Sequence, residues 1–409
     1  MIAPRTRRTV GLAAVVGLAL AVPFSTANAA VPAQTLAPLH APGTASVEPG
    51  QYIVVLSGTS TDASVASVAA VATKAGATIN HTYSAALKGF SATSVSPAAL
   101  AAIRSAAGVA YVEPNARASL DVLPASAGAD KTQKNATWGI DRVDQRDLPL
   151  DHKYTYNQDG KGVTAYVIDT GINFPHVDFE GRATSGPDYV DDDDDSTDCY
   201  GHGTHVSGII GGKTYGVAKK ISLVGLRTVD CSGSGVVDDT VAAVDWVTAH
   251  AKGPSLINMS LHFGPVQALD DAVAGATKAG IVNVVAAGNF SEDACTESPA
   301  RAKPAMTVAA TQIDDAQASF SNYGKCVDVY APGVDITSDW IGSDHATNTI
   351  SGTSMSSPSA LGVAALYFAQ HTSASPKQVI KGVVKQATKG KITSIGPNSP
   401  NKLVYSLLK

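Results

Sequence analysis

The chain has 409 residues, a formal charge of −5, 44% apolar residues and 16% charged residues. A weak negative charge excludes a protein that grips nucleic acid electrostatically, and so large an apolar share excludes a disordered or coiled-coil chain. At ~100–200 residues per domain the length suggests two or three domains, and the 37 glycines predict tight turns and close backbone packing.

Arg5, Arg7 and Arg8 precede an uncharged apolar run, 10–22, and Ala27-Asn28-Ala29 fits a small-x-small cleavage pattern. This reads as a signal peptide, 1–29, because the run is shorter than the ~18 residues of a spanning helix. The mature protein is therefore expected to be secreted, extracellular and not membrane-bound. Residues 30–50, rich in Pro and Ala, read as a linker. Beyond them 51–56 predicts a strand and 62–75 a helix. The stretch 78–95 predicts two strands. Ser96 as N-cap and Pro97 in the first turn open a second helix to 107, and 109–112 predicts a last strand. The order β-α-β-β-α-β predicts a small ferredoxin-like α+β unit. Residues 113–137 lose periodicity and read as an exposed, cuttable connection.

From Trp138 the pattern changes. Residues 162–169, 221–229, 255–261 and 281–288 are continuous apolar strands. A helix is predicted over 236–250, with Val237, Thr240, Val241, Val244 and Val247 on one face, and another over 265–280. Alternating strands and helices predict an α/β parallel β-sheet with helices on both faces. Such sheets carry their chemistry at the carboxyl ends of the strands.

Three motifs lie where that rule points. Asp169-Thr170-Gly171 follows a buried strand. Gly201-His202-Gly203-Thr204-His205 opens an apolar helical pattern. Gly352-Thr353-Ser354-Met355 precedes a small-residue helix, 360–370. An acid, an imidazole and a hydroxyl are the parts of an activated serine nucleophile. The order Asp, His, Ser differs from Ser-acid-His in α/β-hydrolases and from His-Asp-Ser in chymotrypsin-like enzymes, and it is the subtilisin order. His205 lies one turn from His202, yet no Glu completes a zinc motif, so it reads as structural.

On these motifs, residues 138–409 resemble the catalytic domain of a subtilisin-superfamily serine protease. Within it they resemble the proteinase K family, aqualysin-like members most, in WGIDRVDQRDLPL (138–150), DCYGHGTHVSG (198–208), SPARAKPAMTVAAT (298–311) and SFSNYGKCVDVYAPG (319–333). Residues 51–117 resemble the inhibitory propeptide of these enzymes. The resemblance implies that Asp169 orients, His202 is the general base, Ser354 is the nucleophile and Asn289 is an oxyanion donor. It implies a substrate strand at Ser260, Leu261 and His262 and an opposite pocket wall at Ala286, Ala287 and Gly288, accepting extended polypeptides. Two positions depart from it: His262 stands where the family usually has Gly, and Ser359 where it has His. It also implies disulfides Cys199–Cys231 and Cys295–Cys326, with free thiols the alternative. A calcium site is implied at Asp141, Asp144, Gln145 and Asp151, with a solvated acidic turn the alternative. Asp191 to Asp195 reads as a charged loop or a weak cation site. Gln312 replaces a family calcium aspartate.

The expectation is a broad-specificity serine endopeptidase made as a pre-proenzyme: signal 1–29, propeptide 30–130, catalytic domain 131–409. It would act as a monomer on extended polypeptides, inhibited by its own propeptide, with structural calcium, no organic cofactor and no nucleic-acid partner. The rivals are a catalytically dead binding protein, which would be expected to lack one of the four site residues, and a secreted esterase.

Overall fold

The computed structural model of the chain describes residues 36–41, 43, 46–120, 123, 124 and 136–407. The expected signal peptide lies outside them, as does most of the connection around residue 130.

The N-terminal unit has the predicted order. Strands Ser46–Leu56, Thr78–Tyr83, Gly89–Thr93 and Val109–Ser119 alternate with helices Asp62–Lys74 and Pro97–Ser105. Each helix starts on a hydroxyl cap: Thr61 Oγ1 accepts from Ser64 N at 3.2 Å and Ser96 Oγ from Ala99 N at 3.1 Å. The four strands are antiparallel, with Ser46–Leu56 central between Gly89–Thr93 and Val109–Ser119. Val65, Val68, Ala72, Ala99 and Ile103 of the helices bury against Val54, Phe90 and Val112 of the sheet. Two strands outrun their expected limits. The first begins at Ser46, inside the expected linker. The last continues to Ser119, because residues beyond its own sheet find other partners: Arg117, Ala118 and Ser119 pair antiparallel with Val236, Gly235 and Ser234.

The second part is the predicted parallel sheet. Its nine strands run in the order Thr388–Lys389, Lys402–Leu403, Val329–Pro332, Met306–Thr311, Val282–Ala286, Ser255–Met259, Thr164–Asp169, Ser222–Arg227, Ala183–Asp188. Only the first two pair antiparallel. Side chains alternate across it. Ala165, Val167, Leu256 and Val284 pack on helices His202–Gly211 and Thr353–Gln370. Ile168, Ile257, Met259 and Val285 pack on the opposite side with helices Val237–His250 and Gln267–Lys278. The helix expected at 360–370 starts at Thr353, so Ser354 stands in its first turn.

The N-terminal unit sits on helices Val237–His250 and Gln267–Lys278, and their polar groups are satisfied across the contact. The buried Glu113 carboxylate accepts from Gln267 N (3.1 Å) and Ala268 N (2.9 Å), two donors that the start of a helix leaves open. Asp245 accepts from Ser84, Ala85 and Ala86 N at 2.6–3.0 Å. Asp238 accepts from Asn80 Nδ2 (2.8 Å) and Asn115 Nδ2 (2.6 Å). Two disulfides, Cys199–Cys231 and Cys295–Cys326, close the pairing that the resemblance implied, and no described cysteine is free.

Candidate active site

Asp169 is the last residue of its strand, and the helix bearing His202 must come close to it. Two glycines permit this. Gly201 takes φ +109 with its missing side chain against the face of Trp340, and a Cβ on Gly203 would overlap the carbonyl of Gly171 and press on Asp169. Asp198 fastens the start of the helix: its Oδ1 accepts from Thr170 Oγ1, Tyr200 N and Gly201 N, and its Oδ2 from Thr204 N and Oγ1, all at 2.6–2.9 Å. Burial raises the Asp198 pKa in spite of these bonds.

The result is a buried acid–imidazole pair. His202 Nδ1 lies 2.7 Å from Asp169 Oδ1, and both residues are fully buried. His202 Nε2 makes no hydrogen bond to protein. Ser354 Oγ instead donates to Ser260 O at 3.3 Å. Its carbonyl is fixed from behind by a chain of neutral polar groups: Ser357 Oγ donates to Asn258 Oδ1, Asn258 Nδ2 to Ser260 Oγ, and Ser260 Oγ to Ser354 O, at 2.8–2.9 Å. Asn289 Oδ1 accepts from Thr353 N (2.9 Å) and Thr353 Oγ1 (2.8 Å), which aims the amide NH2 group toward Gly352 and the cleft. His205 donates from Nε2 to Ile336 O (3.0 Å) and Asn348 O (3.2 Å). Burial, reinforced by His202, lowers its pKa to about 3, so it is a neutral structural group.

Most of the expected substrate residues converge on one pocket. Ser260, Leu261 and His262 form one wall, Ala286, Gly288 and Asn289 the other, and Thr353 and Ser354 lie between them. Ala287 does not line it: strand alternation turns its methyl into the opposite core beside Ala309 and Tyr330. Ser119 and Leu120 of the N-terminal unit line the same pocket. Leu120 N donates to Gly233 O at 2.8 Å, extending the pairing with Ser234–Val236. Beyond Ser354 the chain pairs again, Leu123 with Ser351 and Pro124 with Ile350.

Sequence reasoning missed the edge strand Ser234–Val236, whose only signal is the short Gly-Ser run, and the supporting residues Asp198, Asn258, Thr353 and Ser357. Backbone N–H groups of the loop that follows bond to three of the four expected calcium ligands. Asp141 Oδ2 accepts from His152 N (2.8 Å), Asp144 Oδ2 from Thr155 N (2.6 Å), and Gln145 Oε1 from Asp151 N (3.2 Å). Asp141 Oδ1 and Asp144 Oδ1 are buried with no hydrogen-bond partner in protein. Among the described residues, the group of three His, Cys or carboxylate side chains whose potential ligand atoms lie within 4.8 Å of one another is His81, Asp238 and Asp239; Asp141, Asp144 and Asp151 do not form such a group.

Known proteins agree with this architecture. Residues 160–403 match the Subtilase family and residues 51–121 match the Peptidase inhibitor I9 family. The alkaline serine exoprotease A of Vibrio alginolyticus is 52% identical over 321 residues, which span 78% of this chain but 59% of that protein. The extracellular serine proteinase of Thermus sp. (strain Rt41A) is 49% identical over 331 residues, 81% of this chain and 78% of that one. A solved cold-adapted subtilisin-like serine proteinase superposes with a TM-score of 0.66 at 51% identity, over 67% of this chain and 100% of that one. The fold, the chain order of the buried pair and the serine, and these matches lead to one assignment: the chain belongs to the subtilase family of serine proteases and carries an I9 inhibitor domain ahead of its subtilase domain.

Proposed function

We propose that the protein is a secreted serine endopeptidase made as an inhibited precursor, and that the observation carrying this is the course of its own chain through the pocket. Residues Ala118 to Leu120 lie as an added strand on Ser234–Val236 beside Ser354, and the chain is paired again at Leu123. A peptide added as a strand is held by main-chain hydrogen bonds, which suits broad specificity. On this reading the precursor is cut past Leu120, outside the described residues, and trimming leads to the expected start of the catalytic domain at 131.

The chemistry follows from the side chains. Ser354 Oγ turns from Ser260 O toward His202 Nε2, gives up its proton there and attacks the peptide carbonyl carbon. Asp169 holds the imidazole by Nδ1 and stabilises its cation. The Asn289 NH2 group and the Ser354 N–H at the helix start donate to the oxyanion. The tetrahedral species collapses as the protonated His202 gives its proton to the leaving amine. Water, deprotonated by His202, then splits the acyl-enzyme and restores Ser354.

Asp141, Asp144 and Gln145, with neighbouring backbone carbonyls, suit a hard cation, because two buried carboxylate oxygens there lack hydrogen bonds. Calcium would supply stability to the 144–155 loop, not chemistry. Export rests on the leader pattern and on a relative named as extracellular; among the described residues no helix is long and apolar enough to cross a membrane.

The test is a serine-directed phosphonate with casein as substrate. Labelling at Ser354 with loss of caseinolysis is expected, and a Ser354→Ala chain should stay uncut. Labelling at another residue, or caseinolysis surviving Ser354→Ala, would overturn the reading.

A further inference from the structure

We infer that His262 and Phe290 form an aromatic bridge across the mouth of the pocket and select flat aromatic side chains at the residue before the scissile bond. The inference rests on the peptidase reading above. The two residues come from opposite walls. Strands Ser255–Met259 and Val282–Ala286 are adjacent and parallel, with Met259 beside Val285, so the segments that follow them face each other across the cleft. Leu261 and Phe263 are both buried, each 3% exposed. Side chains alternate along an extended chain, so His262, between them, projects away from that core and into the cleft, where it lines the pocket shared with Ser354.

Its ring meets Phe290, with centroids 4.6 Å apart and planes inclined by 51°. Phe290 is 48% exposed, an unusual position for a large apolar ring, yet its backbone is held firmly. Phe290 N donates to Asn322 Oδ1 at 2.9 Å, and Asn322 in turn donates from N to Gly288 O (2.9 Å) and from Nδ2 to Ala287 O (3.0 Å). On the other side Phe263 N donates to Ser298 O and Ser298 N to Phe263 O, at 2.8 and 3.0 Å. Both rings therefore stand on fixed backbone. An incoming aromatic side chain meets ring edges and faces at the mouth, where an aliphatic one gains only contact area. Aromatic pairs of this kind alter an equilibrium by about two- to tenfold beyond area burial. Glycine at 262, as the family usually has, removes half of the bridge.

The experiment compares kcat/KM on matched peptides with Phe, Tyr, Leu or Ala before the scissile bond, for the wild type and for His262→Gly, Phe290→Ala, His262→Phe and the double variant His262→Gly/Phe290→Ala. The Phe-to-Leu ratio should fall about two- to tenfold in each truncated single variant. The double variant should fall no further than the singles, since either change breaks the bridge. His262→Phe should keep the ratio, because it keeps a ring. Thermal melts check that each variant is folded. An unchanged ratio in both singles, or fully additive losses, overturns the bridge while leaving the peptidase reading intact. No Ser354-dependent cleavage of any peptide would overturn both.

Discussion

His81 Nε2, on strand Thr78–Tyr83 of the inhibitor unit, lies 2.8 Å from Asp239 Oδ1 in the first turn of helix Val237–His250. The pair ties the inhibitor to the enzyme through a group that titrates near neutrality. Burial pulls the His81 pKa down. The hydrogen bond to Asp239 and the charges of Asp238, Asp239 and Asp192 outweigh it, and the net shift is upward from 6.5. Burial also raises Asp239, to about 6, with His81 opposing. The docked state thus binds more protons than the separated one. The contribution of His81 is complete below 6.5 and is lost as pH rises through its raised, docked value.

The precursor should therefore release its inhibitor more readily on the alkaline side. The check is the activation rate of His81→Gln relative to wild type across pH, a ratio from which the pH dependence of catalysis cancels. The ratio should be well above one in mildly acidic buffer and approach one in alkaline buffer. A ratio that does not vary with pH would contradict the role.

Glu113 offers a second handle on the same contact. Its carboxylate is 1% exposed and answers two open donors of helix Gln267–Lys278. A hydrogen bond to a charged group contributes about 1.5–3 kcal/mol, and the cost of burying the Glu113 carboxylate offsets part of the two. Glu113→Ala should weaken docking by roughly that amount, or about 10–100-fold in the concentration of inhibitor needed for half-inhibition. Progress curves of activation would show the lag shortened. An unaltered lag would mean that the strand pairing alone holds the inhibitor in place.

Asn289→Ala tests the oxyanion geometry. With Oδ1 held by Thr353, the NH2 group has one direction to point, into the pocket. The loss should lower kcat by about 10²–10³, the size measured when a subtilisin loses the corresponding donor, with KM little changed. A loss confined to KM would instead assign Asn289 to ground-state binding.

These residues also mark how far the sequence alone could be read. Asp169, His202 and Ser354 were legible because each sits in a short motif at a strand end or helix start, and the local pattern dictates their place. The cap of the second inhibitor helix, Ser96, was just as local. Glu113 was not: its partners are 154 and 155 residues away, and nothing around it marks a buried carboxylate. The same holds for Asn258 and Ser357, which meet only because a strand and a helix from distant parts of the chain cross behind Ser260. Strand Ser234–Val236 has too few residues to show periodicity, and its order depends on the segment that pairs with it.

The calcium expectation yields its own measurement. Asp144→Asn keeps the size and the Oδ2-side hydrogen bond to Thr155 N but removes the charge. A ligand that binds only the folded state at 100 times its dissociation constant adds about 2.7 kcal/mol. Chelation should therefore lower Tm in the wild type and have little effect in Asp144→Asn. Equal responses in the two proteins would mean that the cation, if any, binds elsewhere.

Arg142, between Asp141 and Asp144, makes a different kind of bond. It is fully buried and bidentate, donating from Nε to Asp315 Oδ1 (2.6 Å) and from Nη2 to Oδ2 (2.8 Å), while Nη1 donates to Gln145 O. Asp315 is itself 5% exposed. Removing the guanidinium strands a carboxylate in the interior, which costs about 3–5 kcal/mol. For a domain of this size each kcal/mol moves Tm by about 2–4 °C, so Arg142→Met should melt roughly 6–20 °C lower. Replacing both partners, Arg142→Met with Asp315→Asn, removes the stranded charge, keeps a residue that tolerates the φ of +65 at 315 and should recover much of the loss. If the double variant melts as low as the single one, the pair contributes through the shape it imposes on the loop after Asp144 and not through its charges.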